Sequence, residues 1–293
     1  MPVIQTELLR IAFEIEGPAG GHPLMLLHGW PDDVRGWRQL MPLLHARGWR
    51  TVTPYLRGFG PTRFRWDDTI RDGRGVALAQ DAVDLADALD LETFAVIGHD
   101  WGARAAYILA GLFPERISAI VGIALAFQPC GAFRLPSFSQ ARRFWYQWFL
   151  ALEDGPAALR ADPKGFARIQ WDTWSPAGWF DEAEFEATAK SFENADWVAI
   201  TLHGYRSRWR PEATDPRYSD LQTRLSKLET LSTATLMIQG ASDFCDEPAS
   251  SEGLEHYFTK RYQRIVLDGV GHFPPREAPE AVGRAIDRHL RET

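Results

Sequence analysis

The chain has 293 residues and a formal net charge of −7, and it carries no basic block, so nucleic acid is not an expected partner. Its two cysteines, Cys130 and Cys245, are too few for a disulfide framework and point to a cytoplasmic protein. Nothing resembles a signal peptide at the N-terminus, and no run of about 18 uncharged apolar residues predicts a membrane span.

Residues 7–16 alternate apolar and charged positions (Leu9, Ile11, Phe13 and Ile15 against Arg10, Glu14 and Glu16), which predicts a half-exposed strand. Pro23 to Leu27 is a continuous apolar run, as in a strand covered on both faces. It leads into His28-Gly29-Trp30-Pro31. Residues 36–47 space Trp37, Leu40, Met41 and Leu44 as a helix would, ending at Gly48. A strand over 50–55 and the loop Arg57-Gly58-Phe59-Gly60-Pro61 follow. Residues 75–90 predict a helix, with Val76, Ala79, Val83, Ala86 and Leu89 on one face.

A strand over 93–97 then meets Gly98-His99-Asp100-Trp101-Gly102, and a helix runs over 103–113. A strand, a tight glycine-flanked turn and a helix in that order have the layout of a nucleophile elbow. The usual serine needs a base before it can attack. Asp100, with a reference pKa of about 3.9, is already an anion at neutral pH. Attack by a carboxylate on a carbonyl would give an anhydride. Attack on a saturated carbon with a leaving group gives an ordinary ester that water can cleave. The chemistry therefore points to epoxides or alkyl halides. The competing interpretation of Asp100 is a helix-capping residue.

After a strand over 117–125 the strand–helix alternation stops. Residues 128–232 are helical in pattern and contain seven of the twelve tryptophans, which suggests helix cores and the wall of an apolar pocket. Strands return at 235–239 and 263–267, with helices near 248–257 and over 279–290. The expected fold class is α/β: a mostly parallel, doubly wound sheet with an inserted helical lid. The core is 1–127 plus 233–293, and the lid is 128–232. There is no internal repeat, no low-complexity tract and no metal-ligand spacing.

Asp243 and His272 each follow a late strand, where ligands bind on open α/β sheets. The order Asp100, Asp243, His272 is the nucleophile–acid–base order of α/β-hydrolases. Asp246 is a rival to Asp243 for the acid. The N–H groups of Trp30 and Trp101 are the expected oxyanion hole, each donor worth roughly 3–4 kcal/mol in such sites.

On His28-Gly29-Trp30-Pro31, Gly98-His99-Asp100-Trp101-Gly102 and Gly271-His272-Phe273, the chain resembles the α/β-hydrolase epoxide hydrolases and the neighbouring haloalkane dehalogenases. The resemblance implies a cis Trp30–Pro31 bond and a substrate pocket that includes His28, Pro31, Trp101 and Trp148. Pro61 departs from the acidic residue common in the family's Arg-Gly-aromatic-Gly loop. The family's two lid tyrosines, which hold the opening epoxide oxygen, correspond to Tyr146 in Phe144-Trp145-Tyr146-Gln147 and Tyr205 in His203-Gly204-Tyr205-Arg206. Tyr218 reads as loop. Dehalogenases often carry Asn where Trp30 stands, and fluoroacetate dehalogenases carry Arg where Trp101 stands. The expectation is a cofactor-independent hydrolase that converts an apolar epoxide to a vicinal diol. Haloalkane dehalogenation and a non-catalytic ligand-binding protein are the alternatives. Lids of this family often contribute to dimers, so the resemblance is compatible with a homodimer, and no feature of the sequence sets the oligomeric state.

Overall fold

The computed structural model describes residues 1–293. Nine strands form one sheet: β1 (Val3–Gln5), β2 (Leu9–Glu16), β3 (Pro23–Leu27), β4 (Arg50–Pro54), β5 (Arg63–Phe64), β6 (Phe94–His99), β7 (Ile117–Ile123), β8 (Thr235–Gly240) and β9 (Tyr262–Leu267). The order is β1-β2-β4-β3-β6-β7-β8-β9, with β5 pairing to β2. From β4 to β9 all neighbours are parallel, whereas β2 is antiparallel to β1, β4 and β5. This is the α/β-hydrolase fold.

The helices are α1 (Met41–His45), α2 (Gly75–Ala88), α3 (Trp101–Leu112), α4 (Phe138–Arg143), α5 (Trp145–Ala151), α6 (Gly155–Ala161), α7 (Pro163–Thr173), α8 (Glu182–Ala189), α9 (Trp197–Arg206), α10 (Ser219–Leu225), α11 (Pro274–Glu277) and α12 (Pro279–Arg291). Alternate residues of the central strands serve opposite faces, because side chains in a strand repeat every two residues. Met25, Leu27 and Val96 join the core with α2 and α3. Leu24, Leu26, Ala95 and Ile97 pack with Met41, Leu44, Val282 and Ile286 of α1 and α12. Both faces are covered, so every residue of β6 and β8 is buried. That explains their unbroken apolar runs.

Two features position the site. Strand order reverses at β3, which pairs with both β4 and β6. Such a switch point opens a crevice at the carboxyl ends of the strands. Leu27 and Gly98 are in register, so the loops that leave β3 and β6 emerge side by side. Between β7 and β8 the chain contains helices α4 to α10 and no strand.

The structure departs from the sequence expectation in places. The helix over 36–47 is two pieces, a 3-10 turn at Val34–Trp37 and α1, because Pro42 lacks an N–H and fits only a first turn. The helix near 248–257 is likewise two 3-10 turns, parted by Gly253 with φ of 68°. The short edge strands β1 and β5 carry no periodicity and were not expected. Tyr218, read as loop, is buried with its hydroxyl accepting from Arg57 Nη2 at 2.7 Å. Trp30–Pro31 is cis, as the resemblance implied. No helix is long and apolar enough to cross a membrane.

Candidate active site

Asp100 joins β6 to α3 with φ of 49° and ψ of −112°, a conformation that costs an L-residue energy and is held by its surroundings. The flanking glycines make the turn possible. A Cβ at Gly98 would lie 2.1 Å from the Gly102 carbonyl oxygen, and one at Gly102 would lie 1.9 Å from that of Leu27. The carboxylate does not cap α3. Its Oδ1 accepts from the Trp30 N–H at 2.8 Å. Burial opposes its charge, but His272, His99 and that N–H more than offset burial, and its pKa falls below the usual carboxylate value.

His272 lies in the loop after β9, with Nδ1 2.9 Å from Asp243 Oδ2 and Nε2 3.7 Å from Asp100 Oδ2. Its loop is pinned from two sides. The His272 carbonyl accepts from His99 Nε2 at 2.7 Å, and its N–H donates to Ser175 Oγ, beyond α7, at 2.8 Å. Burial disfavours the charged ring, yet the carboxylates of Asp243 and Asp100 outweigh burial and raise its pKa to about 10.

Asp243 follows β8 and is itself fixed. Oδ1 accepts from the N–H groups of Cys245 and Asp246 at 2.8 and 2.9 Å, and Oδ2 from Gln239 Nε2 at 3.1 Å. Of the two rival acids, only Asp243 is hydrogen-bonded to the imidazole. Asp246 faces the cavity beside it. There burial, then the neighbouring Asp243 charge, push its pKa up to about 7.

Tyr146 on α5 and Tyr205 on α9 are both buried, with ring centroids 5.2 Å apart and nearly perpendicular at 88°. The Trp30 indole is stacked on Tyr146 (5.8 Å, 11°) and edge-on to Tyr205 (5.1 Å, 81°). The Tyr146 hydroxyl accepts from Gln147 Nε2 at 3.1 Å and lies 3.7 Å from Cys245 Sγ. Burial, then nearby negative charge, raises both phenol pKa values well above the ordinary value. The phenols therefore keep their protons at neutral pH.

A cavity of about 430 Å³ is bordered by Asp100, Tyr146, Cys245, Asp246, Arg104 and Arg208 among others. Tyr205 does not border that cavity, but its phenol is close enough to Asp100 for the carboxylate charge to raise its pKa further. The remaining expected pocket residues divide. Trp101 follows Asp100 at the start of α3 and lines an adjoining cavity of about 300 Å³. His28 does not face the main cavity. Its Nδ1 donates to the Gly29 carbonyl at 2.9 Å and its Nε2 accepts from the Leu56 N–H at 3.1 Å, so both ring nitrogens are used inside the scaffold. Pro31 presents its carbonyl to Trp171 Nε1 at 2.7 Å and Trp148 packs on Trp209 at 4.5 Å, so neither borders the main cavity. Trp209 does line it.

Sequence reasoning missed Gln239, which steadies Asp243, and the arginines Arg104 and Arg208. A signal for Arg104 was available, since position i+4 shares a helix face with the elbow residue. No group of three or more His, Cys, Asp or Glu residues is placed to hold a metal ion.

The profile of the alpha/beta hydrolase fold family matches residues 22–279. Epoxide hydrolase B of Mycobacterium tuberculosis is 34% identical over 46% of this chain and 41% of that protein, so the match spans less than half the length of that relative. Epoxide hydrolase 2 of Siraitia grosvenorii is 30% identical over 94% of each chain. Among solved structures, a candidate epoxide hydrolase from Klebsiella pneumoniae superposes with a TM-score of 0.92 and 36% identity, over 99% of this chain and 97% of that one.

Proposed function

The chain belongs to the α/β-hydrolase-fold epoxide hydrolase family, and from that membership we propose that it adds water to an epoxide through an ester on Asp100. The observation that supports this most directly is the shared cavity. An ionised carboxylate and an un-ionised phenol, Asp100 and Tyr146, open onto one space. Ring opening needs both at once: a nucleophile for carbon and a proton for the departing oxygen.

Trp30 holds Asp100 Oδ1, which leaves Oδ2 to attack the ring carbon. The carbon–oxygen bond breaks with its electrons on oxygen, and Tyr146, flanked by Tyr205, gives that oxygen a proton. In the second stage His272 Nε2 takes a proton from water, and the hydroxide adds to the ester carbonyl carbon. The tetrahedral oxyanion forms at Oδ1, already facing the Trp30 N–H, with the Trp101 N–H as the second donor. Collapse expels the diol oxygen, which takes the proton from His272. The carboxyl proton left on Asp100 returns to the phenolate, and Asp243 steadies the imidazolium throughout.

The test is incubation of His272→Gln with styrene oxide. The expected result is an intact-protein mass increase equal to the epoxide, located on Asp100. An unmodified mass under single-turnover conditions would overturn the mechanism.

A further inference from the structure

The reaction above uses one wall of the main cavity and leaves its most charged feature unexplained. Arg104 lies one helical turn beyond Asp100, its N–H donating to the Asp100 carbonyl at 3.1 Å. Both side chains reach the same cavity. Arg208 follows α9 and enters it from the helical segment. The two guanidinium carbons lie 4.4 and 4.7 Å from the centroid of one ring, that of Phe133.

No carboxylate stands within ion-pair distance of either guanidinium. Arg57, Arg71, Arg74, Arg206 and Arg276 behave differently, since each is paired with an acid. Arg208 donates only to neutral acceptors, the Gly204 carbonyl at 2.9 Å and Gln147 Oε1 at 3.4 Å. The Arg104 guanidinium has no hydrogen-bond acceptor at all. Two like charges in a partly buried cavity are costly unless an anion joins them. The strain is visible in Arg104, whose pKa is pushed down to about 9 by burial and then by Arg208. Asp100 and Asp246 act on Arg104 only across the cavity, without ion-pair contact, and the Asp100 charge rests chiefly on His272, His99 and the Trp30 N–H.

We propose that Arg104 and Arg208 form a subsite for a carboxylate on the substrate, so that the preferred substrates are epoxides bearing an acid group beyond an apolar spacer. This proposal rests on the epoxide reading above. It also amends the expectation of a wholly apolar substrate. The planar guanidinium fork matches a carboxylate in two parallel hydrogen bonds. Leu125, Phe127, Phe133 and Phe144 on the same cavity wall supply the surface for the spacer.

The probes are 4-(oxiran-2-yl)benzoate, its methyl ester, and unreactive 4-ethylbenzoate. The wild type is expected to hydrolyse the acid with a kcat/KM about 10- to 100-fold above the ester, the usual range for a charge-assisted contact. That ratio falls toward one in Arg104→Met and in Arg208→Met, while Arg104→Lys, which keeps a point charge, retains part of it. 4-Ethylbenzoate is expected to bind the wild type and not Arg104→Met in calorimetry. Should a methionine variant fail to fold, the wild-type ratio and the wild-type binding of 4-ethylbenzoate decide alone. Equal turnover of acid and ester with no binding of 4-ethylbenzoate overturns the subsite and leaves the epoxide reading intact. Arg104-dependent binding of 4-ethylbenzoate without turnover of either epoxide does the reverse.

Discussion

His272 Nε2 stands 3.7 Å from Asp100 Oδ2, beyond hydrogen-bond length but close enough for each charge to support the other. The resting pair is therefore imidazolium and carboxylate. A base that is already protonated cannot accept a proton from water. In the proposed reaction, alkylation removes the negative charge of Asp100 and with it part of what holds the proton on His272. The ring then gives up its resting proton to solvent and becomes a base when it is needed. Ester hydrolysis should accordingly rise with pH around a pKa well below the value of about 10 in the free protein. Single-turnover decay of the alkylated enzyme across pH 6 to 10, set beside an NMR titration of free His272, checks this.

The same pair sets a pH dependence of stability. His272 titrates near 10 when folded and near about 6.5 when unfolded. Its contribution is complete below the unfolded value and is lost as pH rises through the folded one. Asp100 has the opposite sign: its contribution is present above about 3.9 and is lost as pH falls through its lower folded value. Urea midpoints should decline between pH 7 and 10 in the wild type, and less steeply in His272→Gln.

Asp243→Asn and Asp246→Asn should separate the two acids. Losing the carboxylate that orients a catalytic imidazole typically costs about 10⁴-fold in kcat. Asp243→Asn is expected to fall into that range. Asp246→Asn, whose carboxyl makes no hydrogen bond to His272, should lose far less. Steady-state turnover of styrene oxide by the two variants gives the answer.

The phenols should act on the first stage alone. Tyr146→Phe is expected to slow alkylation by about 10²- to 10³-fold, as loss of an oxyanion donor does, and to leave ester hydrolysis unchanged. Tyr205→Phe should act in the same direction, and the double variant should lose most of the alkylation rate. Stopped-flow tryptophan fluorescence separates the stages, because Trp30 is stacked on Tyr146.

Arg276 makes a prediction about the scaffold. From α11 it grips Asp32 through Nε and Nη2 at 3.0 and 2.6 Å, lies 4.9 Å over the Trp171 ring and also pairs with Glu184 of α8. Removing one member of a buried ion pair strands the other charge and costs about 3–5 kcal/mol. Arg276→Met should show a loss of that order in urea denaturation.

Much of this was open to sequence reasoning, for a physical reason. β3, β6 and β8 are buried on both faces, so their composition is dictated and their apolar runs stand out. The glycines around Asp100 are equally constrained, because a Cβ on either would lie about 2 Å from a backbone oxygen. Asp243 and Asp246 looked alike because a turn aspartate and a triad acid have one composition; a hydrogen bond to His272, 29 residues farther along, decides between them. His28 and Trp148 misled because aromatic residues beside a site serve as its wall or as its foundation, and rotamers choose. Arg104 and Arg208 were invisible as a pair, since their partnership exists only once α3 and α9 pack together.

Trp30 touches the groups that act on both ends of the bond that the proposed reaction breaks. Its backbone grips the attacking carboxylate while its indole underlies the two phenols. Push and pull are thus yoked to a single residue, and no displacement of that residue can spoil one without the other. Tuning which ring carbon is attacked must therefore be left to side chains farther out, where evolution can adjust regiochemistry without loosening the grip.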